Sequence, residues 1–368
     1  MSSASPLPLA APSAQTAAKS SALHPGRGPR ILLIRRRYLG AIILLGSVIQ
    51  NLRLHWPSAW IAVLTEAHFS GILQLNPDVD SALVFPRRAG EWWGFLRELR
   101  RAGYTHVLDF DNTDKTALVT RLTGARVRAT FDRELITFRY GWVYTHTAKV
   151  TNAFYDSHHI TETYLELLKA IEVPLATREG RLVPRPEDSA LAQKLLAGTG
   201  NKILVHPGTR SAFRAWPAER FAEVCDQLQD KLGVQVFLTA SAAERPLVEE
   251  IRRHARSHLV ALPAPSHVGQ LAALIAHVDV FLCHDSGPMH LSAAVGTPVV
   301  ALFSSQNSTI WRPLGAHHTI LQTPLPCVCL GHDAPSPCTP ADSYKSYCVR
   351  KISVAEVFAA VTRTLATS

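Results

Sequence analysis

Phe281-Leu-Cys-His-Asp-Ser-Gly-Pro-Met-His290 joins a buried apolar run to a tight turn and a helix start, with Asp285, Ser286 and Gly287 at the junction. Main-chain N–H groups at a helix start lack intrahelical partners and sit at the positive end of the helix dipole. The chemistry on offer is therefore anion binding, above all of phosphate. Ser286 reads as the N-cap; His290, about one turn into the helix, could reach the same anion, and Asp285 could hold the turn or meet a hydroxyl. Taken alone, the segment reads equally well as a capped helix with a core histidine.

A second loop shifts that balance. His206-Pro-Gly-Thr-Arg-Ser-Ala-Phe-Arg214-Ala-Trp-Pro also follows a buried apolar run. Gly208, Thr209 and Arg214 offer backbone donors, a hydroxyl and a fixed cation, a set suited to a diphosphate. Two phosphate-suited loops in one half of the chain point to a nucleotide site. Cys327, Cys329, Cys338 and Cys348 could offer four thiolates to zinc, but a Cys-x-Cys pair lacks the usual knuckle spacing, and no metal site is assigned.

Positioning these loops takes strands alternating with helices, the pattern of an α/β fold. Expected strands are Ile31–Ile34, Trp60–Leu64, Ser81–Phe85, His106–Phe110 and Arg128–Thr130. A helix is expected over Ile42–Leu54, and Trp92, Phe95, Leu96 and Leu99 at i, i+3, i+4 and i+7 predict an amphipathic one from Glu91 to Ala102. A long helix follows over His158–Glu172. From Lys202 a second series opens, with strands near 202–205, 235–239, 260–262, 278–283 and 298–303 and helices between them. Ligands in such sheets sit beyond the carboxyl ends of the strands, where Arg35, Arg36, Arg37, Gly40, Glu66, Asp109 and Asp111 also fall.

The 368 residues are 47% apolar and 18% charged, enough for two sizeable cores, and collagen-like, coiled-coil and wholly disordered classes are excluded. A net charge of +9 favours an anionic partner. No recognised nucleic-acid module accompanies it, so nucleic acid is not expected. Six cysteines are too few and too scattered for a disulfide scaffold, which indicates a reducing compartment. No apolar run approaches the ~20 residues of a spanning helix. Residues 1–29, rich in Ser, Ala and Pro, are expected to be a disordered leader. The remaining divisions are a first domain over 30–178, a linker over 179–200 marked by prolines, a second domain over 201–350 and a C-terminal helix over 351–368.

Four segments carry a resemblance over nearly all of 30–365: Ile31–Gly40 continuing into Ser47–Pro57, Val205–Phe221 with its Gly-Thr and Arg-x-Trp-Pro, Asp285-Ser-Gly-Pro-Met-His290, and Ala301-Leu-Phe through Trp311-Arg-Pro-Leu-Gly315. The chain resembles the ADP-heptose:lipopolysaccharide heptosyltransferases, glycosyltransferase family nine. That resemblance implies a GT-B architecture, two Rossmann-like domains facing a cleft, the first holding the acceptor and the second the nucleotide-sugar donor. It implies inverting, metal-independent transfer of a heptose or related sugar from an ADP-sugar to a lipopolysaccharide core-type glycolipid, with no cofactor.

By position, Gly208, Thr209, Arg214, Asp285, Ser286, Gly287 and His290 become donor residues, and Arg35, Arg36, Arg37, Gly40, Asp109 and Asp111 acceptor residues. Arg214 stands where the family usually has Lys, which keeps the charge and changes its geometry. The many arginines of the first domain suit an anionic glycolipid and the inner leaflet, at ~1 kcal/mol per surface cation, hence a cytoplasmic protein peripheral to the inner membrane. Trp92 and Trp93 are expected in the core.

One departure matters more. The family's first loop normally reads Gly-Asp, the Asp being its general base, whereas this chain has Gly40-Ala41. Either another carboxylate serves, with Glu66 the first choice before Asp109 and Asp111, or the chain is a catalytically silent nucleotide-sugar or glycolipid binder.

Overall fold

A computed structural model of the chain describes residues 28–134, 138–209, 214–304, 306–323, 349 and 351–367. The expected leader up to residue 27 and Cys327, Cys329, Cys338 and Cys348 lie outside the described residues.

Strands β1 (Arg30–Ile34), β2 (Trp60–Thr65), β3 (Ser81–Val84), β4 (His106–Asp109), β5 (Val127–Arg133) and β6 (His146–Val150) form a parallel sheet in the order β3-β2-β1-β4-β5-β6. Strands β7 (Lys202–His206), β8 (Gln235–Leu238), β9 (Val260–Ala261), β10 (Val280–His284), β11 (Val299–Phe303) and β12 (Thr319–Gln322) form a second, ordered β12-β11-β10-β7-β8-β9. The two orders are the same doubly wound pattern, in which the first strand of each half lies between its second and its fourth. Strand order reverses between β1 and β4 and between β7 and β10. Crevices at those points, beyond the strand ends, are where such sheets take ligands.

The helices are α1 (Leu39–Ile43), α2 (Gly46–His55), α3 (Glu91–Arg101), α4 (Asp114–Thr123), α5 (Asn152–Ser157), α6 (Ile160–Ala170), α7 (Pro186–Leu195), α8 (Ala218–Leu232), α9 (Arg245–His254), α10 (Val268–Ala276), α11 (Gly287–Val295), α12 (Ser308–Trp311) and α13 (Val354–Ala366). Alternation along the strands divides them between the sheet faces. In β1, Leu32 and Ile34 pack with Leu99 of α3 and Val119 of α4, whereas Ile31 and Leu33 belong to the core that holds α2 and α6. In β10, Val280 and Leu282 pack with α8, α9 and α13; Phe281 and Cys283 share the core of Ile31 and Leu33 with α10 and α11. One apolar core thus runs without a break from the first sheet into the second.

Several elements differ from the sequence expectation. The helix expected over 42–54 is two pieces, because Leu45 N–H bonds back to the Ile42 carbonyl and tightens the turn. Gly46 then passes Gly180 so closely that a methyl group on Gly46 would lie 3.1 Å from the Gly180 Cα. The helix expected over 158–172 forms in one piece as α6 but starts two residues later: His158 is extended, and His159 caps α6 by accepting the Thr161 N–H at its Nδ1. Segment 179–200 contains α7, opened by Pro186 and packed on α10. Strands β6 and β12 and helix α4 had no counterpart in the sequence reading. The C-terminal helix forms as expected, with Ser353 and Glu356 in a reciprocal capping box.

Candidate active site

The first crevice is built from the loop after β1 and the turn after β4. Arg35 Nη1 donates to the Phe110 carbonyl and to Asp111 Oδ1, both at 2.9 Å, and Arg36 N–H donates to Asp111 Oδ2 at 2.7 Å. Arg36 Nη2 and Arg37 Nε both reach Glu66 Oε1, at 2.8 and 3.3 Å. Arg37 is the cation of the three that faces solvent, with 60% of its side chain exposed. Two of the three non-glycine residues with left-handed φ among the described residues are here, Tyr38 at 71° just before α1 and Asn112 at 46°. Such backbone is held only where surrounding structure over-determines it.

Asp109 lies wholly inside the fold. Its Oδ2 accepts the Tyr144 hydroxyl at 2.7 Å and its Oδ1 accepts the Asp111 and Asn112 N–H groups at 3.0 and 3.1 Å. Burial pushes its carboxyl up to about 6 despite those donors. Asp109 thus holds the Asp111–Asn112 turn from inside the fold. Glu66, with 34% of its side chain exposed, is the carboxylate of the three that solvent reaches most.

The second crevice holds an ion pair between half-buried Arg214 and buried Asp285. Arg214 donates through Nη2 to Asp285 Oδ2 and through Nε to Ser304 Oγ at 2.9 Å. Asp285 Oδ1 is buried with no hydrogen-bond partner among the described residues. Burial outweighs the Arg214 guanidinium and pushes the Asp285 carboxyl up to about 6. His284, fully buried, accepts the Trp216 N–H at its Nε2 at 2.8 Å, which ties the Arg-x-Trp-Pro loop to the end of β10. Ser286 occupies the N-cap position, but its hydroxyl turns back onto the His284 carbonyl at 3.2 Å and makes no cap bond. Pro288 has no N–H, so what the turn presents to an anion is main-chain N–H at the start of α11 together with its dipole.

Glu244 was missed in the sequence. A methyl group on Gly208 would lie 2.0 Å from Glu244 Oε1, so this carboxylate covers the Gly208 loop, and its Oε2 is 3.8 Å from His206 Nε2. Ser241 holds it in place through a capping box. The Ser-x-x-Glu spacing of 241–244 was the available signal. Ser304, which orients Arg214, had none.

The two crevices meet where α1 and α11 begin. A methyl group on Gly40 would lie 2.5 Å from His290 Cδ2, and one on Gly287 would lie 3.0 Å from Leu39 Cβ. His290 thus faces α1. Its Nδ1 is buried without a partner, and burial, with His159 nearby, lowers the imidazole to about 3 and keeps it neutral. Ala41 is 3% exposed beside this contact.

Residues 92–333 match glycosyltransferase family 9 (heptosyltransferase). The chain belongs to that family. It is 28% identical over 294 residues to lipopolysaccharide heptosyltransferase 3 of Escherichia coli K12, covering 75% of this chain and 83% of that protein. Among solved structures, it is similar to a family 9 glycosyl transferase from Veillonella parvula, with TM-score 0.75 and 21% identity over 92% of this chain and 98% of that one. It is also similar to E. coli ADP-heptose lipopolysaccharide heptosyltransferase II, with TM-score 0.74 and 22% identity over 92% and 99%. The two facing Rossmann-like sheets are the GT-B architecture of these glycosyltransferases. Among the described residues, no helix is long and apolar enough to cross a membrane.

Proposed function

We propose that this family 9 glycosyltransferase moves a heptose or related sugar from an ADP-linked donor to a lipopolysaccharide core-type glycolipid, with inversion and without a metal, at the cytoplasmic face of the inner membrane. The observation that carries the reading is the contact of α1 with α11, which brings the loop after β1 against the turn after β10. In this reading Gly208, Thr209, Arg214 and the start of α11 hold the diphosphate. Arg214 and the helix dipole stabilise the charge that develops as the diphosphate leaves. The free Oδ1 of Asp285 and the Oε1 of Glu244 accept hydroxyls of the bound nucleotide sugar.

An acceptor hydroxyl attacking the anomeric carbon must lose its proton, and Ala41 cannot take it. Asp109 is enclosed and both Asp111 oxygens are taken, by Arg35 and the Arg36 N–H, whereas Arg36 and Arg37 engage Glu66 through Oε1 alone, which leaves Glu66 as the base that fits best. Buried Ala41 favours a second reading, a catalytically silent nucleotide-sugar or glycolipid binder. Calorimetric titration with ADP, UDP, GDP and CDP, with and without EDTA, followed by turnover with ADP-heptose, separates them. Metal-independent ADP binding with turnover supports transfer, ADP binding without turnover supports the silent binder, and no nucleotide binding overturns both.

A further inference from the structure

The two most exposed large apolar side chains in the described chain, Trp93 at 78% and Trp142 at 73%, lie on the same side of the first sheet. Helix α3 turns Trp92, Phe95, Leu96 and Leu99 inward, where they serve the core, and leaves Trp93 outside; the sequence expectation of a buried Trp pair holds only in part, for half-buried Trp92. Trp93 is seven residues before Arg100, so the two share a flank of α3, and Arg100 Nη1 donates to the Thr123 carbonyl of α4 at 3.2 Å. That flank therefore faces α4. On α4, Lys115 reaches back to 4.7 Å from the Trp92 ring, and Leu118 and Leu122, 56% and 40% exposed, follow at i+3 and i+7. Val143, beside Trp142, packs on Ala117 and brings the turn Gly141–Val143 to the same helix.

Among the described residues nothing covers these four apolar side chains, and their rim is cationic. Arg97, Arg101, Arg121 and Arg126 are exposed on or beside α3 and α4, against Glu91, Glu98 and Asp114. The face is also continuous with the acceptor loop: burial, and next Arg36, lowers the Lys115 ammonium, which places Lys115 in the field of that loop. Tryptophans with arginines around them suit the boundary between lipid headgroups and acyl chains, where the rings bury their apolar bodies and the guanidiniums meet phosphates.

We propose that the α3 and α4 face, with the turn Gly141–Val143, docks on an anionic phospholipid bilayer. It rests on the glycolipid reading of the acceptor and adds the surface that brings the Arg35–Arg37 loop to the headgroup level.

The full chain is sedimented with vesicles of phosphatidylcholine alone and of phosphatidylcholine mixed with phosphatidylglycerol. Binding to the mixed vesicles, weakened by salt, is expected, with little binding to phosphatidylcholine. Each surface cation contributes about fivefold in partitioning. The triple variant Arg97→Glu, Arg101→Glu, Arg121→Glu removes three such cations and adds three repelled charges, so it should lose more than roughly a hundredfold, and Trp93→Ser with Trp142→Ser should release the protein from the mixed vesicles. Equal binding to both vesicle types, no binding to either, or binding unchanged in both variants overturns the proposal. So does a wild-type dimer that the tryptophan variant converts to monomer without any vesicle binding, because a second copy then covers the face. ADP titration of the same proteins keeps the readings apart: intact ADP binding without vesicle binding overturns the docking surface alone, and vesicle binding without ADP binding overturns the donor site alone.

Discussion

Gly40 and His290 touch across the cleft, so closely that a methyl group on Gly40 would lie 2.5 Å from the imidazole Cδ2. Only glycine lets the start of α1 approach α11 this far. Gly40→Ala must push the two helices apart, and overpacking of this kind costs about 1 to 3 kcal/mol. We expect a lower urea midpoint, loss of turnover and weaker ADP binding, because α11, whose start holds the diphosphate in our reading, is one of the two helices displaced; calorimetry and a coupled ADP-release assay read binding and turnover separately.

Glu66→Gln should lower turnover by about 10²- to 10⁴-fold, the usual contribution of a positioned base, while leaving ADP affinity unchanged. Adding Ala41→Asp to that variant should restore turnover. Unchanged turnover in Glu66→Gln would assign the proton to another group.

Arg214→Ala should weaken ADP binding at least tenfold and leave Asp285 as an uncompensated buried charge, a change that typically costs about 3 to 5 kcal/mol. Asp285 has a folded pKa of about 6, above its ordinary 3.8, so its contribution to stability is full below 3.8 and is lost as pH rises through 6. Removing Arg214 raises the folded value further. The stability deficit of the variant should therefore be small near pH 4 and open fully above pH 7, which thermal melts across that range will show.

Histidines dominate the acid response of the wild-type chain. His284 and His290 are lowered to about 3 by burial, and His206, His159, His106 and His318 are lowered as well. Their contribution is present above the ordinary 6.5 and is lost as pH falls toward their folded values, at about 1.4 kcal/mol per pH unit for each net proton. Asp109 and Asp285, both near 6, take up protons in the folded state and offset part of that loss between pH 6 and 4. Urea midpoints measured from pH 8 down should fall below pH 6.5 and steepen below pH 4.

The strands and the loops after β7 and β10 were legible because each is local. Apolar runs such as Val-Val-Ala-Leu-Phe at 299–303 can only be buried on both faces, and Asp285 to His290 carries its own turn and helix start. Strand β6 escaped because His146-Thr-Ala-Lys-Val buries only Ala148 and Val150 and has no apolar run to announce it. The close approach of Gly46, which opens α2, to Gly180 brings together residues more than a hundred positions apart. The same holds for the candidate site: Tyr144 behind Asp109, Ser304 behind Arg214 and Glu244 over Gly208 are pairings that only the fold creates. Ser286 shows the reverse, a residue in the right place whose hydroxyl makes a different bond.

The short stretch Gly180 to Val183 is bonded to both halves at once: Leu182 N–H reaches the Ala294 carbonyl of α11 and Val183 N–H the Leu75 carbonyl, at 2.9 and 2.8 Å, while Gly180 lies against Gly46. It works as the spine of a book. Pages bound along such a spine can turn about it but not slide past one another, so an opening between the two sheets that keeps these bonds would move their outer rims most and Gly46 and Ala294 least.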